Sequence, residues 1–112
     1  MDCIFCKIIA GEIPAKKVYE DGDMIIINDI DPKAKNHYLC IPKSHFKLLK
    51  DMTKDQSEQL KKCFEKIPTL EKELHLENGY RLIINQGDDA GQSVFHLHIH
   101  ILSGQKMNWQ PA

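Results

Sequence analysis

The stretch His96-Leu97-His98-Ile99-His100-Ile101-Leu102 decides how this chain is interpreted, because histidine and aliphatic residues alternate along it. Alternation with a period of two predicts a β-strand with one polar and one apolar face. The aliphatic side chains would pack against a core, and the three imidazoles would share the opposite face. Three unpaired imidazoles are costly to bury, so that face should line a cleft or bind a ligand.

Three explanations fit this pattern. The first is a solvent-facing surface that is histidine-rich by chance, and the second is a metal site that uses all three rings. The third is nucleophilic catalysis at phosphorus, in which one imidazole attacks while its neighbours orient it and bind phosphate oxygens. The preceding loop, 86–93, favours catalysis, because its glycines let backbone N–H groups approach an anion. Ser93 and Asn85 add further polar donors.

The rest of the chain predicts a single α+β domain over residues 1–112. Apolar spacing predicts a helix at 3–10, and Thr53 and Gln56 form a capping box for a longer helix that Pro68 should kink or divide. Ser44 could cap another short helix that holds Phe46, Leu48 and Leu49. Strands are predicted at 17–20, 24–27, 37–41, 80–85 and 95–102. Five strands with local hairpin connections predict an antiparallel sheet with the long helix on one face.

Composition narrows the function classes. The chain has 112 residues with 15 basic and 16 acidic side chains and a net charge of −1, so no basic excess points to nucleic acid. No apolar run approaches the roughly 20 residues of a membrane span. The first residues lack the basic and apolar regions of a signal peptide, which predicts a cytoplasmic protein without a membrane partner.

The spacing of Cys3 and Cys6 is that of a zinc half-site. Two further ligands would be needed for a tetrahedral site. Two buried cysteines at the start of a helix, or a redox pair, are the alternatives that this spacing leaves open.

Several segments together resemble one family, the histidine triad nucleotide-binding proteins. The alternating histidines fit its defining motif, and the resemblance extends over essentially the whole chain, including the tail 107–111. The other matching segments are Cys3-Ile4-Phe5-Cys6-Lys7-Ile8-Ile9, Asn36-His37-Tyr38-Leu39-Cys40-Ile41-Pro42-Lys43-Ser44-His45 and Gly91-Gln92-Ser93-Val94-Phe95.

The resemblance implies a purine nucleoside phosphoramidate hydrolase that acts on adenylates joined to an amine through phosphorus. His98 would be the nucleophile, and a nucleotidyl-histidine would be the intermediate. The other implied site residues are His100 and His37 beside it, Asn85, Gly91, Gln92 and Ser93 for phosphate, Asp29 for ribose, and Ile4, Phe5, Ile8, Ile27 and Asn28 for the base.

The resemblance also implies a cofactor and a partner. His45 and His96 would complete a structural zinc site with the two cysteines, and no catalytic metal would be needed. Purine nucleotides such as AMP or GMP would bind, and two chains would form a homodimer with a ten-stranded sheet. Trp109 would lie on the leaving-group side of a cleft. Hydrolysis of dinucleoside polyphosphates, or nucleotide-dependent regulation with incidental turnover, are the alternative functions.

Overall fold

The computed structural model describes residues 3–108, which form a five-stranded antiparallel sheet flanked by two helices. The predicted fold class is therefore confirmed. Helix α1 spans Ile4–Ile9, and helix α2 spans Lys54–Lys66. The strands are β1 (Lys17–Glu20), β2 (Met24–Asn28), β3 (Asn36–Pro42), β4 (Tyr80–Ile83) and β5 (Ile99–Ser103).

The strand order is β1-β2-β3-β5-β4. Strands β1 to β3 are joined by the predicted hairpins, whereas β5 enters the sheet between β3 and β4. The expectation of local connections throughout was wrong for β3 and β4, whose connection carries α2. This insertion places the histidine-bearing strand in the sheet interior, beside His37 of β3.

Alternate residues of the strands pack into two separate cores. On one face, Met24, Ile26, Leu97, Ile99 and Ile101 pack with buried residues of α2. On the other face, Ile25, Ile27, Leu39 and Ile41 pack with Cys3, Phe5 and Ile8 from the start of the chain. His37 alternates with Leu39 along β3 and so lies on the α1 side of the sheet. The apolar half of the alternating segment thus faces α2, as predicted.

Helix α2 has both of the predicted terminal signals. The Thr53 side chain accepts a hydrogen bond from the backbone of Gln56, and the Gln56 side chain accepts one from the backbone of Thr53. The helix ends at Lys66, and Pro68 lies in a 3₁₀ turn over Ile67–Leu70. Since proline lacks the N–H that an α-helix needs, it divides the predicted long helix.

Three elements differ from prediction by more than one residue at an end. The short helix expected after Ser44 is absent, because the Ser44 backbone donates to Gln59 and its hydroxyl accepts from Gln56, both on α2. A 3₁₀ turn forms later, at Leu49–Asp51. Strand β4 ends at Ile83 rather than at residue 85.

The third difference concerns the histidines. Strand β5 begins at Ile99 rather than at residue 95, so only His100 of the three belongs to the regular strand. The reason lies in the backbone of Leu97, which donates to the carbonyl of Phe46 at 2.7 Å, outside the ladders of the sheet. Among the described residues, no helix has the length and apolar character needed to span a membrane.

Candidate functional site

A cleft of about 530 Å³ opens over the end of the sheet where β3, β4 and β5 lie side by side. A cavity of about 680 Å³ lies nearby, but it is lined by the loops around 75–79 and 104–106 and by none of the predicted site residues. The smaller cleft is lined by six predicted site residues: His37, Asn85, Gly91, Ser93, His98 and His100.

One ring nitrogen of His98 is hydrogen-bonded to the backbone. Its Nδ1 lies 2.8 Å from the carbonyl oxygen of His96. Because a carbonyl can only accept, Nδ1 carries the proton and a neutral ring keeps its lone pair on Nε2. Burial lowers the pKa of His98 below its ordinary value, so the ring is neutral at pH 7. These are the two properties that an imidazole nucleophile needs.

His37 and His100 form a second chain of hydrogen bonds. The backbone N–H of Lys33 donates to His37 Nδ1 at 2.9 Å, so the proton of a neutral His37 is on Nε2. His37 Nε2 lies 2.9 Å from His100 Nδ1 and donates to it. His100 must then carry its own proton on Nε2. Burial, followed by the neighbouring His98 and His37, lowers the pKa of His100 to about 4, and burial also lowers the pKa of His37.

Asp29 lies directly after β2 and supports this pair. One carboxylate oxygen is 3.3 Å from His37 Nε2, and the other accepts from the backbone of Asp31 at 2.8 Å. Asp29, His37 and His100 lie close enough together to be considered as a metal site. The proton on His37 Nε2, fixed by the bond from Lys33, makes hydrogen bonding the better explanation of their contacts.

The loop before the histidines has the backbone conformation expected of its glycines. Gly87 and Gly91 have φ angles of 86° and 78°, which side chains other than glycine rarely adopt. The Gln92 side chain is buried inside the loop, where it accepts from the backbone of Gly87 and donates to the carbonyl of Lys47. The Gln92 side chain therefore closes the loop and does not reach the cleft, unlike its neighbours Gly91 and Ser93.

The residues assigned to a base pocket lie beneath and beside α1 rather than in this cleft. Phe5, Ile8 and Ile27 are buried in the core on that side of the sheet, and Ile4 is half exposed. Asn28 is half-buried at the end of β2. Trp109 lies outside the described residues, although Asn108 before it lines the cleft.

Two cationic side chains that the sequence analysis did not single out also line the cleft, namely Lys33 and Arg81. They supply local positive charge in a chain whose net charge is −1. Arg81 is the only arginine in the sequence, and it alternates with Ile83 on β4. A lone arginine in a strand next to Asn85 was the signal that could have identified it.

Cys3, Cys6, His45 and His96 converge beside the cleft. Their segments are far apart in sequence: the first turn of α1, the loop after β3 and the segment before β5. Cys3 caps α1, and its sulfur accepts from the backbone of Cys6 at 3.4 Å. The four side chains thus join the helix to the loop after β3 and to the segment before β5.

The distances between their donor atoms fit a tetrahedral zinc ion. Cys3 Sγ is 3.5 Å from His96 Nδ1, and Cys6 Sγ is 3.4 Å from His45 Nδ1 and 3.6 Å from His96 Nδ1. The two Nδ1 atoms are 3.2 Å apart. A tetrahedral zinc ion has bonds of about 2.3 Å to sulfur and about 2.05 Å to nitrogen. These lengths place a sulfur and a nitrogen ligand about 3.5 Å apart and two nitrogen ligands about 3.3 Å apart.

The protonation of His96 agrees with this fit. Its Nε2 lies 2.7 Å from the carbonyl oxygen of Pro42 and must donate to it. A neutral ring therefore has no proton on Nδ1, the atom that points at the cysteines and at His45. Histidines that bind zinc commonly donate their second N–H to a backbone carbonyl in this way. The residues present can hold zinc.

Comparison with known proteins agrees with the fold. A family model described as "Scavenger mRNA decapping enzyme C-term binding" matches residues 2–110. Protein HitA of Neisseria gonorrhoeae is 48% identical over 101 residues, which cover 90% of this chain and 94% of that protein.

Two solved structures show the same architecture. The HIT family hydrolase from Legionella pneumophila has a TM-score of 0.91 at 42% identity and covers 99% of this chain and 100% of its own. A zinc-bound histidine triad family protein from Mycobacterium smegmatis has a TM-score of 0.80 at 34% identity. The match covers 96% of this chain and 78% of that protein. The family that the alternating histidines predicted is confirmed: this chain belongs to the histidine triad family.

Proposed function

We propose that the protein is a purine nucleoside phosphoramidate hydrolase that works through a nucleotidyl-histidine on His98. The observation that carries this proposal is the bond from His98 Nδ1 to the carbonyl of His96, because it leaves a neutral Nε2 lone pair at a cleft. The relative from Legionella pneumophila is described as a hydrolase, which agrees with this class of reaction.

The reaction has two displacements at phosphorus. In the first, His98 Nε2 forms a bond to phosphorus, the P–N bond to the amine breaks, and the amine leaves after taking up one proton from solvent. In the second, water attacks phosphorus and gives up one proton to solvent, and the bond to Nε2 breaks, which releases the nucleoside monophosphate and restores the imidazole. Splitting one difficult hydrolysis into two steps is the general advantage of covalent catalysis.

The neighbours of His98 stabilise negative charge on the phosphate. His100 keeps its proton on Nε2 and has Nδ1 filled by His37, so its ring can act as a neutral donor. Asn85, Ser93 and the Gly91 backbone line the same cleft and offer further donors. Asp29 is assigned to the ribose hydroxyls. None of these steps requires a catalytic metal.

We assign the four residues Cys3, Cys6, His45 and His96 to structural zinc. Bound zinc would cross-link α1 to the loop after β3 and to the segment before β5, which is a contribution to folding. The zinc-bound relative from Mycobacterium smegmatis supports this assignment.

We also propose a homodimer in which two sheets join through β4. This strand is at one edge of the sheet and carries Leu82, which is 36% exposed, while Phe64 on α2 is 41% exposed. A free edge with exposed apolar residues is an aggregation risk that pairing across a two-fold axis removes. The tail with Trp109 would then reach the partner's cleft.

The test compares His98→Ala with the unmodified protein on an adenosine phosphoramidate and on a diadenosine polyphosphate. We expect the unmodified protein to prefer the phosphoramidate and His98→Ala to lose turnover by at least about a thousandfold. Nucleotide binding should be retained by His98→Ala, because Asn85, Ser93 and Asp29 remain. Near-normal turnover by His98→Ala would refute the mechanism, and preference for the polyphosphate would refute the substrate class.

A further inference from the structure

His96 lies between the metal site and His98, and each of its polar groups has a separate partner. Nδ1 faces the cysteines and His45, Nε2 donates to the carbonyl of Pro42, and its own carbonyl accepts from His98 Nδ1. A single residue therefore connects the metal ligands to the bond that selects the tautomer of His98.

The segment that carries this connection has little support from the sheet. Strand β5 begins at Ile99, so His96 and His98 precede its ladders, and the backbone N–H of Leu97 donates to the carbonyl of Phe46, next to His45. The position of the His96 carbonyl consequently depends on the contacts of the His96 side chain. The bond from Nε2 to Pro42 joins the His96 ring to the end of β3 alone, whereas the metal site joins it to α1 and to the loop after β3 through three further ligands.

Helix α1 restrains the His98 ring through Phe5. Phe5 is buried and lies edge-on to His98, with ring centres 5.1 Å apart, and edge-on to His96 at 5.9 Å. Phe5 lies between Cys3 and Cys6 in sequence, so its placement follows the placement of these two ligands. Metal binding would thus fix both the hydrogen-bond acceptor of His98 and one wall beside its ring.

We propose that metal bound by Cys3, Cys6, His45 and His96 positions His98 for attack on phosphorus, with His96 and Phe5 as positioning residues. This inference rests on the proposed function. Without metal, the His96 carbonyl would be less well placed, and a larger share of His98 rings would carry the proton on Nε2, where it blocks attack. The groups that bind the nucleotide, such as Asn85 and Ser93, belong to other segments and would be affected less.

The main experiment uses His45, which is exposed and whose ring contacts Cys6 and His96 rather than His98. His45→Ala should lose zinc, whereas His45→Cys offers another zinc ligand. We expect kcat of the zinc-free protein to fall by about 2- to 12-fold, the range set by the loss of one hydrogen bond, with KM changed less than about twofold. His45→Cys with zinc bound should recover kcat, and so should chelated wild-type protein after zinc is added back.

A second measurement follows the tautomer directly. Nitrogen-15 NMR of the His98 ring should show the Nδ1–H form in zinc-loaded protein and a mixture of forms after chelation. A purely structural zinc ion would lower stability and leave this signal unchanged. Unchanged tautomer and unchanged kcat in folded, zinc-free protein would overturn the inference.

Phe5→Leu tests the contact between the Phe5 and His98 rings, and Phe46→Leu is its matched control. Both phenylalanines are 5% exposed, but Phe46 packs in the core on the α2 side. Phe5→Leu should lower kcat more than Phe46→Leu at equal zinc content, and an equal effect would contradict the role of Phe5. If zinc-loaded wild-type protein forms no nucleotidyl-histidine, the proposed function fails instead, so the two failures can be distinguished.

Discussion

Acidification should destabilise the fold through His100, and the size of the effect can be worked from its environment. Burial and the neighbouring His98 and His37 lower the pKa of His100 to about 4. In the unfolded chain its pKa is about 6.5. Between these values the unfolded chain binds more protons than the folded protein, so stability falls as the pH falls through this window.

The two pKa values set a ceiling on the effect. A group that titrates at about 6.5 unfolded and about 4 folded contributes about 2 kcal/mol less at pH 5 than at pH 7. The His100 ring is partly accessible to solvent, which screens the interactions that shift its pKa. We therefore expect about 1 kcal/mol from this residue. His37, whose pKa is lowered by burial, should act in the same direction.

The assay is urea unfolding at pH 7, 6 and 5 at one protein concentration and one ionic strength, with wild-type protein and His100→Gln. Glutamine keeps an acceptor for His37 Nε2 but has no proton to gain. Zinc release at low pH would affect both proteins alike, so their difference isolates His100. The wild type should lose about 1 kcal/mol more than the variant between pH 7 and pH 5. A difference that stays constant within about 0.3 kcal/mol would refute this reasoning.

Three further predictions concern zinc, the dimer and Trp109. Purified protein should contain about one zinc ion per chain, and Cys3→Ser should lose both the zinc and part of the stability, since a structural site contributes to folding; elemental analysis that finds no metal in protein prepared without chelators would contradict this. Sedimentation should show a homodimer at micromolar concentration, and Leu82→Lys on the edge strand β4 should weaken it; a wild-type monomer would rule it out. Trp109→Ala should reduce discrimination among amine leaving groups with less effect on nucleotide affinity, and unchanged relative rates across a series of amines would remove that role.

Local patterns predicted the elements whose causes are local. The capping box at Thr53 and the interruption at Pro68 depend on neighbours three or four residues away, so both were correct. The alternation around His98 also placed Leu97 and Ile99 correctly in the core. The boundary of β5 was wrong, because the backbone of Leu97 is bonded to Phe46, a residue about fifty positions earlier that no local pattern reveals.

The sequence by itself determined the family, the residue types available for chemistry and the half-site of Cys3 and Cys6. Only the tertiary structure decided which nitrogen of each histidine carries its proton. That choice depends on single acceptors or donors from distant segments: the carbonyl of His96 for His98, the backbone of Lys33 for His37, and the carbonyl of Pro42 for His96. A hydrogen bond requires heavy atoms within about 3 Å, and only the folded chain brings these atoms that close.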